Sequence, residues 1–243
     1  MIDIHCHLLP GIDDGPDTLP QALELARLAV ANGITHSVVT PHIHAGRWDN
    51  CATIIKTLTL DFKHALLEAD IPLQLGVAAE VRIGREITAQ INQRQIPFLG
   101  HWQDKKVMLL EMPHSHVPAG IDRIVNWLLE RDILPMVAHP ERNKDVHRSL
   151  AKLDPLIASG CLFQVTAGSV AGKFGGASRS RAIELLEQGL VTVLASDAHN
   201  TKHRPPELAR GRHAAAEIIG EEAADQLVLD NPWQIVGEQF VAI

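Results

Sequence analysis

The stretch MIDIHCHLLPGIDDG (residues 1–15) sets the pattern from which the fold is read. A short candidate strand, Met1–Ile4, apolar but for Asp3, leads straight into His5-Cys6-His7. Side chains alternate along a strand, so His5 and His7 share one face, about 6–7 Å apart, and Cys6 takes the other. Two imidazoles in that arrangement can grip one metal ion. Gly11-Ile12-Asp13-Asp14-Gly15 follows and adds two carboxylates on a glycine-flanked loop. Alone, the loop reads as a solvated turn. Alone, an H-x-H is a modest signal in a chain of 14 histidines.

The same arrangement recurs outward along the chain. Further strands are expected at Ile34–Thr40, Leu73–Ala79, Lys106–Glu111, Leu134–Ala138, Cys161–Thr166 and Val191–Ala195. The second strand runs into Pro41-His42-Ile43-His44. The third ends in Glu80, the fourth in Glu111, the fifth in His139-Pro140-Glu141-Arg142, and the seventh in Ser196-Asp197-Ala198-His199. An acid placed directly after an apolar strand is costly to bury unless it is paired or metal-bound.

Helical spacing marks Leu19–Asn32, with Asp17 or Thr18 as cap and Asn32-Gly33 as stop. It also marks Arg123–Arg131, Ser180–Gln188, Pro205–Gly220 and Asn231–Gly237, while Lys173-Phe174-Gly175-Gly176 reads as a loop. Repeated strand–helix alternation implies parallel strands with helical crossovers. No G-x-G-x-x-G turn follows the first strand, which favours a closed barrel over a doubly wound sheet. The expected fold class is α/β, a barrel in a single domain spanning residues 1–243. In such barrels the C-terminal strand ends converge on the catalytic mouth.

Composition narrows the chemistry. A net charge of −7 argues against a nucleic-acid binder, which needs a basic surface. Cys6, Cys51 and Cys161 are odd in number and lack C-x-x-C spacing, so they read as reduced packing residues in a cytoplasmic protein. The N-terminus shows neither the basic nor the apolar segment of a secretory signal. No apolar run reaches the roughly 18 residues of a membrane span. Cys-x5-Arg, G-x-x-x-x-G-K-[ST] and G-x-S-x-G are all absent, so nucleophilic serine or cysteine chemistry is not suggested. Imidazole and carboxylate without thiolate suit manganese, iron, zinc or cobalt, and a cluster of such ions activates water for phosphate-ester hydrolysis.

In combination the motifs identify a family resemblance. They are D-I-H-x-H-x-L-P-G-I-D-D-G at the start, TPH (Thr40–His42), AE (Ala79-Glu80), LLE (Leu109–Glu111), VAHPERN (Val137–Asn143), QVTAGSVAGKFG (Gln164–Gly175), SDAHN (Ser196–Asn200) and RPP (Arg204–Pro206). The chain resembles the polymerase-and-histidinol-phosphatase (PHP) superfamily. Over nearly its whole length it resembles, more closely, the CpsB/CapC-type bacterial tyrosine-protein phosphatases of capsule and exopolysaccharide systems.

The resemblance implies a distorted (β/α)7 TIM-like barrel with three divalent ions, commonly manganese. It implies that His5, His7, Glu80 and Asp197 hold one ion, that Glu80, Glu111 and His139 hold a second, and that Asp14, His42 and His199 hold the third. Arg142 and Arg204 match phosphate-binding positions, and guanidinium forks suit phosphate oxygens. The expected reaction is attack on phosphorus by a metal-bridging hydroxide. The expected partner is the phosphotyrosine tail of a membrane-associated bacterial tyrosine autokinase, with no nucleic acid and no membrane insertion. A homo-oligomer stays open.

His44 duplicates His42, and only His42 is expected as a ligand. His114 and His116 are expected in solvent or behind the ligands. Thr166 stands where relatives often carry asparagine. Residues 44–50, with Arg47 and Trp48, form a candidate lip for an extended peptide. The rival functions are a small-molecule PHP phosphatase, such as one for histidinol phosphate, and a non-catalytic metal-binding module.

Overall fold

The computed structural model describes residues 1–241. Its strands are β1 (Ile2–Cys6), β2 (His36–Val39), β3 (His42–Ile43), β4 (Gln74–Val77), β5 (Glu80–Arg82), β6 (Gly100–Trp102), β7 (Lys105–Glu111), β8 (Ile133–Ala138), β9 (Leu162–Thr166) and β10 (Val193–Ala195). One parallel run is ordered β1-β2-β4 and a second β10-β9-β8-β7-β5-β3, with β6 turned antiparallel against β7. Because β3 continues β2 and β5 continues β4, the two runs form one ring. A parallel bridge between Cys6 and Ala198 closes it. His7 N–H donates to Ala198 O at 2.8 Å and Asp197 N–H to His5 O at 2.8 Å. The expected seven-position α/β barrel is the observed architecture.

The helices are α1 (Leu19–Ala31), α2 (Ala52–Glu68), α3 (Ile87–Asn92), α4 (Ile121–Leu129), α5 (Lys144–Arg148), α6 (Asp154–Ala158), α7 (Ala167–Val170), α8 (Gly175–Glu187), α9 (Leu208–Ile219), α10 (Glu221–Gln226) and α11 (Asp230–Val236). Among the described residues, no helix is long and apolar enough to cross a membrane.

Two buried layers follow from the period of two along each strand. Ile4, Val38, Leu109, Met136 and Val193 fill the bore, and Ile235 and Val236 of α11 pack with them. Their strand neighbours Val39, Leu110, Val137 and Leu194 point outward and meet helix residues such as Leu25, Phe62, Val125 and Leu185. In β1 the pairing with β2 slips between Asp3 and Cys6. That irregularity lets the neighbours Ile4 and His5 both reach the interior, Ile4 in the bore and His5 in the polar cluster beside Glu80 and Asp197.

Three expectations need correction. The second and third strands are each interrupted: β2 stops before Pro41, which has no N–H to donate, and β4 stops before Ala78. Helix α2 lies where no helix was expected, and α8 begins at Gly175, inside the expected loop. Cys51 is half-buried at the first position before α2, where its side chain makes no capping bond, whereas Cys6 and Cys161 are buried as expected.

Candidate metal centre

The nine acids and imidazoles expected as ligands meet at the C-terminal ends of the ring. His5 Nε2 lies 3.3 Å from both Glu80 Oε2 and Asp197 Oδ1. His7 Nε2 is 3.3 Å from the same Glu80 oxygen. His42 spans two acids, with Nδ1 3.1 Å from Glu80 Oε2 and Nε2 3.3 Å from Asp14 Oδ1. His199 Nε2 reaches the same Asp14 oxygen at 3.3 Å, and His139 Nε2 reaches Glu80 Oε1 at 2.8 Å.

Donor atoms fall within 4.8 Å of one another in four overlapping groups: His7, Asp14, His42 and His199; His5, His7 and Glu80; His5, His139 and Asp197; and His42, Glu80 and Glu111. The groups share members, so the distances gather nine residues without assigning a set to each ion. His139 and Asp197 sit on strained backbone, at φ 32° and 52°, a conformation that clusters at functional sites.

Donors for a cation need free lone pairs, and these are prepared. Gln164 Oε1 accepts the backbone N–H of His139 at 3.3 Å and lies 2.8 Å from His5 Nδ1. A carbonyl oxygen only accepts, so Nδ1 carries the proton and Nε2 turns its lone pair to the cluster. Asp13 Oδ2 does the same for His7, at 2.6 Å from Nδ1, and also accepts the His42 N–H at 3.0 Å. His42 Nδ1, Glu80 Oε2, Asp197 Oδ1 and His199 Nε2 are buried without a hydrogen-bond partner. Buried polar atoms are otherwise nearly always paired, so four such atoms spread over the overlapping donor groups fit bound cations. No thiolate competes, since Cys6 Sγ faces Val38 O at 3.4 Å.

Charge state agrees at four of the groups. Against burial, Glu80 and Asp197 raise His5, and Asp13 and Glu80 raise His7, so a cation there displaces a proton. Burial alone would raise the Glu80 carboxyl, but His5, His42 and His139 outweigh it and hold it well below the usual range. Asp197 is held low against burial by Arg204, His5 and Arg142. Burial and then the Arg142 charge lower His139 to about 3, and burial and then His7 lower His199 to about 4, so both are neutral near pH 7. Burial and then the Glu80 charge push Glu111 up to about 7.

Arg142 and Arg204 both donate to Asp197 Oδ2 at the rim. Phe174 lies under the Arg142 guanidinium, 4.6 Å from its carbon. Trp48 stacks on His42 at 4.6 Å and 7°. His44 stands against Trp48 and joins none of the donor groups. His114 is half-exposed, stacked 5.5 Å from His139. Exposed His116 bonds to Ser115. Thr166 contributes its backbone N–H to Glu141, while its buried hydroxyl has no partner. The sequence reading assigned no role to Gln164 or Asp13. Gln164 opens the QVTAGSVAGKFG motif, but its neighbours in sequence do not say which groups its amide meets, and the resemblance that singles out Asp14 leaves Asp13 without a task.

Comparison with known proteins agrees with this geometry. The family model described as capsular polysaccharide synthesis, CpsB/CapC, matches residues 1–237. The tyrosine-protein phosphatase YwqE of Bacillus subtilis (strain 168) is 36% identical over 204 residues, 84% of this chain and 79% of that protein. The tyrosine-protein phosphatase CpsB of Streptococcus agalactiae serotype III (strain NEM316) is 28% identical over 246 residues, 99% of this chain and 100% of its own. A crystal structure from work on B. subtilis YwqE and Streptococcus pneumoniae CpsB, described as unique metal-dependent tyrosine phosphatases, superposes with a TM-score of 0.90 at 32% identity, covering 100% of this chain and 96% of that one. An organophosphorus hydrolase mutant from Deinococcus radiodurans, at 14% identity and a TM-score of 0.62 over 97% of this chain and 92% of its own, shares the fold alone. With the family model spanning nearly its whole length, the chain belongs to the CpsB/CapC family.

Proposed function

We propose that this chain is a metal-dependent phosphomonoester hydrolase acting on phosphotyrosine in proteins. The observation that carries the reading is the ring of partnerless buried donor atoms with two guanidiniums at its rim. His5, His7, Asp14, His42, Glu80, Glu111, His139, Asp197 and His199 would hold three divalent ions, manganese first, with iron, zinc or cobalt suited to the same donors. Such ions supply Lewis acidity and a water of lowered pKa. Gln164 and Asp13 fix the imidazole tautomers. Arg142 and Arg204 bind the phosphate oxygens, which offer the acceptor chemistry that Asp197 offers them now. A phenol, with pKa about 10, leaves more readily than an alkyl alcohol and needs less help from an acid.

The space beside the cluster is ≈ 120 Å³, well below the roughly 300–1,000 Å³ of pockets that enclose a small ligand. It takes the phosphate end of a substrate and leaves the rest at the mouth. The family description supports a place in capsular polysaccharide synthesis; the finer reading proposed within it is a cytoplasmic enzyme acting on the phosphotyrosine tail of a membrane-associated tyrosine kinase in capsule or exopolysaccharide synthesis.

The test measures metal content by elemental analysis alongside turnover of a phosphotyrosine peptide and of histidinol phosphate. Turnover is expected with manganese, lost on chelation, and higher in kcat/KM for the peptide. Full activity in metal-stripped protein would overturn the reading.

A further inference from the structure

One guanidinium at the mouth is left over from the chemistry above. Arg142 and Arg204 bind Asp197, and Arg82 bonds to Glu111 Oε1 at 2.8 Å. Arg47 also lines the cavity and is exposed. Among the described residues, it enters no ion pair with a carboxylate. Its guanidinium carbon lies 4.0 Å from the centre of the Trp48 ring.

The lip around it is built. His44 and Trp48 exchange backbone hydrogen bonds at 3.0 and 2.8 Å, and Arg47 N–H donates to His44 O at 2.9 Å. Gly46 N–H donates to Asp49 Oδ1 at 2.7 Å, and the Asn50 amide ties the lip to Ile12 O and His42 O. Since Trp48 also stacks on His42, Arg47 is fixed relative to the reaction centre. Stacking occupies the face of a guanidinium and leaves its in-plane N–H groups free to fork around an anion. An acidic peptide approaching a body of net charge −7 needs such a local positive contact.

We propose that Arg47, seated on Trp48, is a subsite for a carboxylate side chain flanking the phosphorylated residue of a peptide substrate. The inference rests on the phosphatase reading.

The experiment uses two phosphotyrosine peptides that differ only in one flanking residue, glutamate or glutamine, with p-nitrophenyl phosphate as a substrate without a flank. Manganese-loaded wild type is expected to favour the glutamate peptide about threefold to fivefold in kcat/KM, the range of an exposed ion pair. The preference is expected in KM and to shrink at high salt. Arg47→Met, which keeps the apolar stem, is expected to erase it, and Arg47→Lys to retain part. A preference unchanged in Arg47→Met, or absent in wild type, would overturn the subsite. So would an equal fall of Arg47→Met on all three substrates, the mark of a structural role. No turnover of any substrate by wild type would instead remove the phosphatase reading, and the subsite with it.

Discussion

Gln164 holds His5 in one tautomer and braces the backbone of His139 with a single oxygen. Gln164→Leu therefore loosens two ligands at once, and manganese affinity is expected to fall about 10- to 100-fold by titration. Asp197→Ala is expected to abolish turnover while circular dichroism shows a folded chain; near-wild-type rates would remove the metal-centre mechanism. Glu111 gives a pH signature. Its folded pKa, about 7, stands above its ordinary value of 4.5, so the metal-free fold favours the protonated form. Its contribution to stability is full below pH 4.5 and is lost as pH rises through 7. In chelator, Glu111→Gln is expected to gain on wild type by up to about 3 kcal/mol between pH 5 and 8, read by urea denaturation. Added manganese reverses that order, because an amide is a poorer ligand. Eight of the nine candidate ligands were legible because each stands at or just beyond a strand end; Asp14, on the loop between β1 and α1, was legible only through the family motif. Gln164 was not, because its role comes from His5 on β1 and His139 at the end of β8, not from its own neighbours in sequence.

At the level of elements, most strands were legible to within two or three residues, but α2 was hidden. Its first turns, Thr53-Ile54-Ile55 through Thr57 and Thr59, are poor helix formers and read as strand-like. Burial of Ile55, Thr59, Phe62 and Leu66 along one stripe overrides that preference. The short β3 and β5 were equally hidden, because the interruption near Pro41 depends on pairing across the ring. Contact between α7 and α9 is tighter than composition suggests. A Cβ on Gly211 would lie 2.3 Å from the Ala167 side chain and 2.5 Å from its backbone. Gly211→Ala is expected to cost about 2 kcal/mol, a fall in Tm of about 6 °C by thermal melting. An unchanged Tm would mean that the two helices separate freely.

Across the whole molecule, bound cations and folding are linked. The centre gathers several carboxylates in a buried space, so removing the cations leaves them facing one another and their partnerless atoms unmet. Manganese at 100 times its Kd is expected to add about 2.7 kcal/mol per ion, raising Tm by about 5–10 °C, and chelator is expected to reverse the gain. Superimposable melts with and without manganese would argue against tight sites. The closure that brings Asp197 and His199 to His5 and His7 also joins Asp3 to Ser196, 193 residues apart along the chain. During synthesis, then, the earliest histidines leave the ribosome long before their partners are translated. A truncated or half-made polypeptide holds scattered imidazoles and too few acids to retain its ions, so hydrolysis waits until the last strand has been made.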